Sequence, residues 1–100
     1  MSITTSKSAD GSVLTIRIQG RFDFSSHQEF RDSYENNGGV NEYLIDMKET
    51  TYLDSSALGM LLLLRDFAGG DHANVSISNC NSDVKKILTI SNFEQLFVIK

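Results

Sequence analysis

The sequence has a single cysteine, Cys80, and no proline. One thiol cannot make an intramolecular disulfide framework, and a reducing, cytoplasmic setting is the expectation that follows. No proline-rich segment, low-complexity linker or internal repeat interrupts the chain, and 100 residues suit one domain rather than two. Basic residues are outnumbered nine to thirteen, for a net charge of −4. Nucleic-acid binding needs a basic stripe, and none is present, so no nucleic-acid partner is expected. The same deficit argues against docking on anionic membranes. The longest strongly apolar run, residues 57–64 with one glycine, falls far short of the roughly 20 residues that span a bilayer. No membrane insertion is expected, and residues 1–7 lack the charged and apolar regions of a signal peptide.

Catalytic equipment is equally sparse. A serine hydrolase needs a base beside its nucleophile, yet His27 and His72 are the only histidines and no Gly-x-Ser-x-Gly elbow occurs. Two histidines and one cysteine make no convincing zinc site. Asp23, Asp46 and Asp54 can in principle gather around magnesium, as in phosphoaspartate receivers. The acidic pair after the first strand and the late lysine of such receivers are missing. Gly38-Gly39 and Gly69-Gly70 match no phosphate-binding loop. The expectation is a protein without catalytic residues, metal or cofactor.

What is present is the make-up of an ordinary globular domain, 40% apolar and 22% charged. Residues 2–8 and 12–19 read as paired strands about Asp10-Gly11, with Leu14, Ile16 and Ile18 on one face. After Gly20-Arg21-Phe22-Asp23 the period becomes helical. Ser26 and Glu29 have the spacing of a capping box, and Asn36-Asn37-Gly38-Gly39 stops the helix. Residues 43–47 read as a buried strand, 55–68 as a second helix and 75–78 as a strand, and Asn81-Ser82 can cap a third helix carrying Val84, Ile87, Leu88 and Ser91. Residues 97–99 suit a short edge strand. This order predicts an α/β fold with a mixed, mostly parallel sheet of four or five strands, an N-terminal β-hairpin and about three helices packed on it.

The chemically distinctive segment is Leu53-Asp54-Ser55-Ser56-Ala57-Leu58-Gly59, where a polar loop feeds straight into an apolar helix. Asp54 suits the N-cap, and Ser55 and Ser56 then occupy the first turn. A helix N-terminus tolerates a phosphate, since its free N–H groups and dipole favour negative charge by about 0.3–1 kcal/mol. Repulsion from Asp54, about 3 kcal/mol per pair of unit charges ~6 Å apart at an effective dielectric near 20, opposes it and is screened at an exposed loop. A phosphoserine there would change the surface and leave the fold intact. Asp-Ser-Ser before an apolar run is also what a plain helix start looks like. Further along, Ala57, Met60, Leu61, Leu64 and Ala68 form a core stripe. Leu58 and Leu62 lie round from its centre, where flanking helices are expected to cover them; the other reading is a small apolar patch for a partner.

Leu44-Ile45-Asp46-Met47 followed by Leu53-Asp54-Ser55-Ser56-Ala57-Leu58-Gly59-Met60-Leu61 resembles the signature of STAS domains, especially bacterial anti-sigma factor antagonists. The similarity runs over essentially the whole chain, residues 1–100. It implies that Ser56 is the phosphoacceptor and that Asp23 and Asp54, with Ser55, Ala57 and Leu58, form the switch surface. Ala57 stands where the family usually has glycine. The implied partners are an anti-sigma factor or serine kinase that binds the unmodified form, and a serine phosphatase that resets it. STAS-like modules also serve as constitutive scaffolds of signalling assemblies or as accessory subunits of membrane transport systems. Such a module carries the same motif without using it.

Overall fold

The computed structural model describes residues 2–100. Strands β1 (Ser2–Lys7) and β2 (Val13–Phe22) make the expected antiparallel hairpin. Gly11 turns it with φ +74°, a conformation that costs glycine little and other residues more. Asp10 braces the turn, accepting hydrogen bonds from the Ser8 and Ser12 hydroxyls and the Ser12 N–H, which hold its carboxyl down to about 2. The chain continues through a 3-10 turn, Phe24–Ser26, into α1 (His27–Glu35), then β3 (Glu42–Asp46) and β4 (Thr50–Leu53). Helix α2 (Ser55–Phe67), strand β5 (Val75–Ser78), helix α3 (Ser82–Ile90) and strand β6 (Val98–Ile99) complete it. The sheet runs β1-β2-β3-β5-β6, with β1 alone antiparallel and β4 paired to the far end of β2.

Alternation sorts the two faces. Leu14, Ile16, Ile18 and Phe22 of β2 are fully buried and join Tyr43, Ile45, Val75 and Ile77 from the neighbouring strands. All three helices cover this face, contributing Phe30 and Tyr34 from α1, Met60, Leu61 and Leu64 from α2, and Val84 and Leu88 from α3. Each such side chain contributes about 1.5–3 kcal/mol on leaving water, and together they hold helices and sheet in one layer pair. The other face bears Thr15, Arg17, Gln19 and, across the register, Asp46. Among the described residues no helix packs on it.

Two local expectations are corrected. The stretch before α2 is not a loop throughout: residues 50–53 form β4, parallel to the end of β2, with Arg21 opposite Tyr52 and Phe22 opposite Leu53. β3 and β4 therefore lie along the same edge of β2, separated by a turn at residues 47–49 that the Thr50 N–H closes on the Met47 carbonyl. The capping box at Ser26 and Glu29 does not form. Ser26 takes helical angles, makes no side-chain capping bond, and its buried hydroxyl finds no partner. Asp23 does the capping instead, because a 3-10 turn precedes α1 and the Asp23 carboxylate accepts from the Ser25 N–H at 3.1 Å. The Asn81 cap of α3 is present as expected, its amide oxygen accepting from the Val84 N–H at 2.8 Å.

Candidate functional site

The register of β2 against β4 builds the site. Phe22 and Leu53, both buried, are paired, so the residues that follow each of them emerge side by side at the same end of the sheet. Those residues are Asp23 and Asp54, and the Asp54 N–H reaches the Phe22 carbonyl at 3.4 Å. β4 is fixed from two directions. The buried Thr50 hydroxyl donates to the Ile18 carbonyl at 2.8 Å, and the Asn81 amide at the head of α3 donates to the Thr50 carbonyl at 3.1 Å. A short strand anchored this way delivers α2 in a set position.

Asp54 is the N-cap of α2, with extended backbone angles and its Oδ1 accepting from the Ala57 N–H at 2.9 Å. The same oxygen accepts from the Ser56 hydroxyl at 2.7 Å. The Ser56 bond and the Ala57 N–H hold the Asp54 carboxyl below its ordinary value, against burial and the neighbouring Asp23 charge, which push it up. Asp23 is held low in turn, by the Ser25 hydroxyl first and then by the Ser25 N–H and Arg21, against burial. Both acids are ionised at neutral pH. The Arg21 guanidinium, 3.6 Å from Asp23, lies over the Tyr52 ring at 4.5 Å.

Ser56 is half-buried and Ser55 exposed, both in the first turn of α2. The arrangement brings Asp23, Asp54, Ser55 and Ser56 together at the solvent boundary. Ala57 departs from the expected surface set. It faces the core at 0% exposure, because position 57 shares a helical face with Met60, Leu61 and Leu64, and it offers the site only its backbone N–H. Leu58 is partly buried against the core, as expected of a residue covered by its neighbours, whereas Leu62 is 38% exposed and the covering fails there. Phe24, 70% exposed and stacked on His27, and Tyr52 stand at the rim of the site. Neither belongs to the Asp-Ser-Ser motif. The alternation of β2 beyond Gly20, which sets Arg21 and Phe22 on opposite faces, is the signal that could have pointed to Tyr52 through its partner strand.

Asp46 does not join the other two aspartates. It lies on the helix-free face, where Arg17 Nε donates to it at 3.1 Å, the Asn79 amide at 3.1 Å and the Lys48 N–H at 3.0 Å. Burial pushes its carboxyl up, but these donors prevail and hold it below its ordinary value. Beside it, at the 47–49 turn, is a shallow cleft of about 330 Å³ lined by Arg17, Asp46, Lys48, Glu49 and Asn79. Among the described residues no group of three His, Cys, Asp or Glu side chains is placed to hold a metal ion, and no helix is long and apolar enough to cross a membrane.

Comparison with known proteins agrees with this architecture. The chain is 62% identical over 100 residues to a STAS-domain containing protein of Pseudomonas aeruginosa, covering 99% of both. Its fold is similar to that of the anti-sigma factor antagonist SpoIIAA in its unphosphorylated form, with a TM-score of 0.74, 15% identity and 99% and 87% of the two chains covered. The phosphorylated form of SpoIIAA from Bacillus gives 0.73, 15%, 99% and 91%. A candidate anti-sigma factor antagonist from Thermotoga maritima gives a TM-score of 0.83 at 15% identity, covering 97% of this chain and 84% of its own. The family model described as "Mlab, STAS domain" matches residues 5–99, and the chain belongs to the STAS-domain family.

Proposed function

We propose that this chain is a phosphorylation-switched protein-binding regulator of the anti-sigma factor antagonist kind, with Ser56 as the phosphoacceptor. Unphosphorylated, it binds a protein partner of the anti-sigma factor or serine-kinase type; phosphate on Ser56 releases that partner, and a serine phosphatase resets the cycle. The chain itself performs no catalysis in this scheme. One observation carries the reading: the Ser56 hydroxyl stands at the solvent boundary in the first turn of α2, bonded to Asp54 beside Asp23.

The physical case has two parts. A phosphate on Ser56 meets the free N–H groups of the helix start, so α2 survives the modification. It also adds about −1.5 to −2 charges to a surface that already holds two ionised carboxylates, so a docking protein meets a different field and a hydrated dianion. About 2.7 kcal/mol of such opposition weakens binding a hundredfold. The likeness of this fold to both forms of SpoIIAA supports the reading, since that protein keeps the shared architecture with its phosphate in place.

The test is a binding series on the purified partner. Ser56→Ala is expected to bind as tightly as the unmodified chain, and Ser56→Asp and Ser56→Glu about a hundredfold more weakly. Equal affinity across the series removes the switch.

A further inference from the structure

Gly59 has no reason within the fold to be glycine. It lies in the interior of α2 without a positive φ, and a Cβ built on it meets nothing within 4 Å. A helix-interior glycine lowers stability relative to alanine, because the unfolded chain gains conformational freedom and nothing is gained in packing. Gly59 is exposed, and its neighbours on the outward side of α2 are unusual for a surface helix. Leu62 is 38% exposed and Leu63 50% exposed. Helical spacing sets Ser55, Gly59, Leu62 and Asp66 along one ridge, three to four residues apart, with Leu63 flanking it. A missing side chain with apolar shoulders is the surface form that lets another backbone come close.

We propose that this ridge seats a helix from the protein partner, crossing α2 at Gly59, with an apolar centre on Leu62 and Leu63 and a cationic residue at the end that meets Asp66. The inference rests on the reading of Ser56 as the switch, and extends the contact one to two turns beyond it. Charge decides the polarity of the occupant. The acids at the switch end already have donors: Ser56 and Ala57 for Asp54, Ser25 and Arg21 for Asp23. Asp66 makes no ion pair among the described residues, and its neighbour Arg65 is turned away to Asp71 and the Leu96 carbonyl. A second copy of this chain fits poorly. An antiparallel crossing sets Asp54 of one copy near Asp66 of the other, and a parallel crossing sets each acid against itself. An anionic membrane meets the same acids.

The seat also accounts for release. Ser56 lies three residues before Gly59 and seven before Leu63, on the same side of α2, so its phosphate would stand at the edge of an apolar contact. A dianion there loses hydration when the helix docks and gains no new donor.

Two linked measurements test the proposal. The photo-crosslinking residue p-benzoylphenylalanine is placed at position 63 in the chain expressed in its own cells, and the attached species is identified by mass spectrometry. The protein so identified is then purified and its Kd measured with the wild-type chain, Gly59→Ala, Asp66→Lys and Ser56→Asp. Gly59→Ala is expected to raise Tm by roughly 2–8 °C, as for a relieved helix glycine. It is also expected to weaken binding tenfold or more, and Asp66→Lys to weaken it severalfold. The proposal is overturned if Gly59→Ala binds like the wild type, or if position 63 attaches only to a second copy, to lipid or to nothing. Loss of affinity in Ser56→Asp with none in Gly59→Ala removes the seat and keeps the switch; the reverse pattern keeps the seat and removes the switch.

Discussion

Replacing Asp54 separates its role as a cap from its role as a charge. The carboxylate accepts from the Ala57 N–H at 2.9 Å and the Ser56 hydroxyl at 2.7 Å. Asp54→Ala removes the acceptor and leaves the Ala57 N–H to water or to nothing; loss of an N-cap of this kind costs about 1 kcal/mol, within a range of roughly 0.5–2. For a domain of this size that lowers Tm by about 4–8 °C. The Ser56 hydroxyl, being half-exposed, finds water and adds little to the loss. Asp54→Asn keeps an oxygen in the same place and caps almost as well, so its Tm at pH 7 should stay within about 2 °C of the wild type. The two variants also part in acid. The folded-state pKa of Asp54 is lowered, so its contribution is present above the unfolded value of 3.8 and fades as pH falls through the folded one. The advantage of wild type over Asp54→Ala should therefore be full above the unfolded value and shrink as pH falls below it, while Asp54→Asn shows no such dependence from this site. Differential scanning calorimetry at pH 7 and pH 3 reads all of this. An Asp54→Ala variant that melts with the wild type, or an Asp54→Asn variant that melts as low as Asp54→Ala, refutes the capping argument.

Two further outcomes follow from the same geometry. Asp46→Ala deprives the Arg17 guanidinium, the Asn79 amide and the Lys48 N–H of their shared acceptor, and urea unfolding should show a loss of about 2–3 kcal/mol, lessened by the half-exposure of Arg17. Because the Asp46 pKa is lowered on folding, its share is complete above about pH 4–5 and lost in stronger acid, so Asp46→Asn should flatten the acid limb of the stability curve. Leu61→Ala, at a wholly buried position between α2 and the sheet, should lower stability by about 2–5 kcal/mol without altering the surface around Ser56; circular dichroism of urea unfolding measures it.

Period and punctuation carried much of the architecture. The hairpin was marked by alternation in residues 14–18 and by Asp10-Gly11, and α2 by the spacing of Met60, Leu61 and Leu64, all of which fall where local rules put them. Asn81 likewise caps α3 through a contact three residues away, within reach of a local rule. β4 escaped because four residues, two of them threonines, have no period long enough to read, and their pairing partner lies about thirty residues earlier at the end of β2. Ser26 misled because its spacing to Glu29 fits a capping box, while the choice between Ser26 and Asp23 depends on a 3-10 turn that the spacing does not encode. The candidate site divides the same way. Asp54 as a cap for the helix bearing Ser55 and Ser56 is a local matter. The approach of Asp23 was implied only by resemblance to STAS domains, since physically it depends on Phe22 pairing with Leu53. The burial of Ala57 follows from the helical stripe it shares with Met60, Leu61 and Leu64, whereas the exposure of Leu62 depends on how far the neighbouring elements reach around α2, a tertiary quantity with no short-range signature.

Phosphopeptide mapping of the protein recovered from its own cells, with partner-bound and free pools separated first, tests the central claim most directly. Phosphate on Ser56 is expected in the free pool and a bare Ser56 hydroxyl in the bound pool. Ser56 unmodified in both pools, or carrying phosphate equally in both, contradicts it.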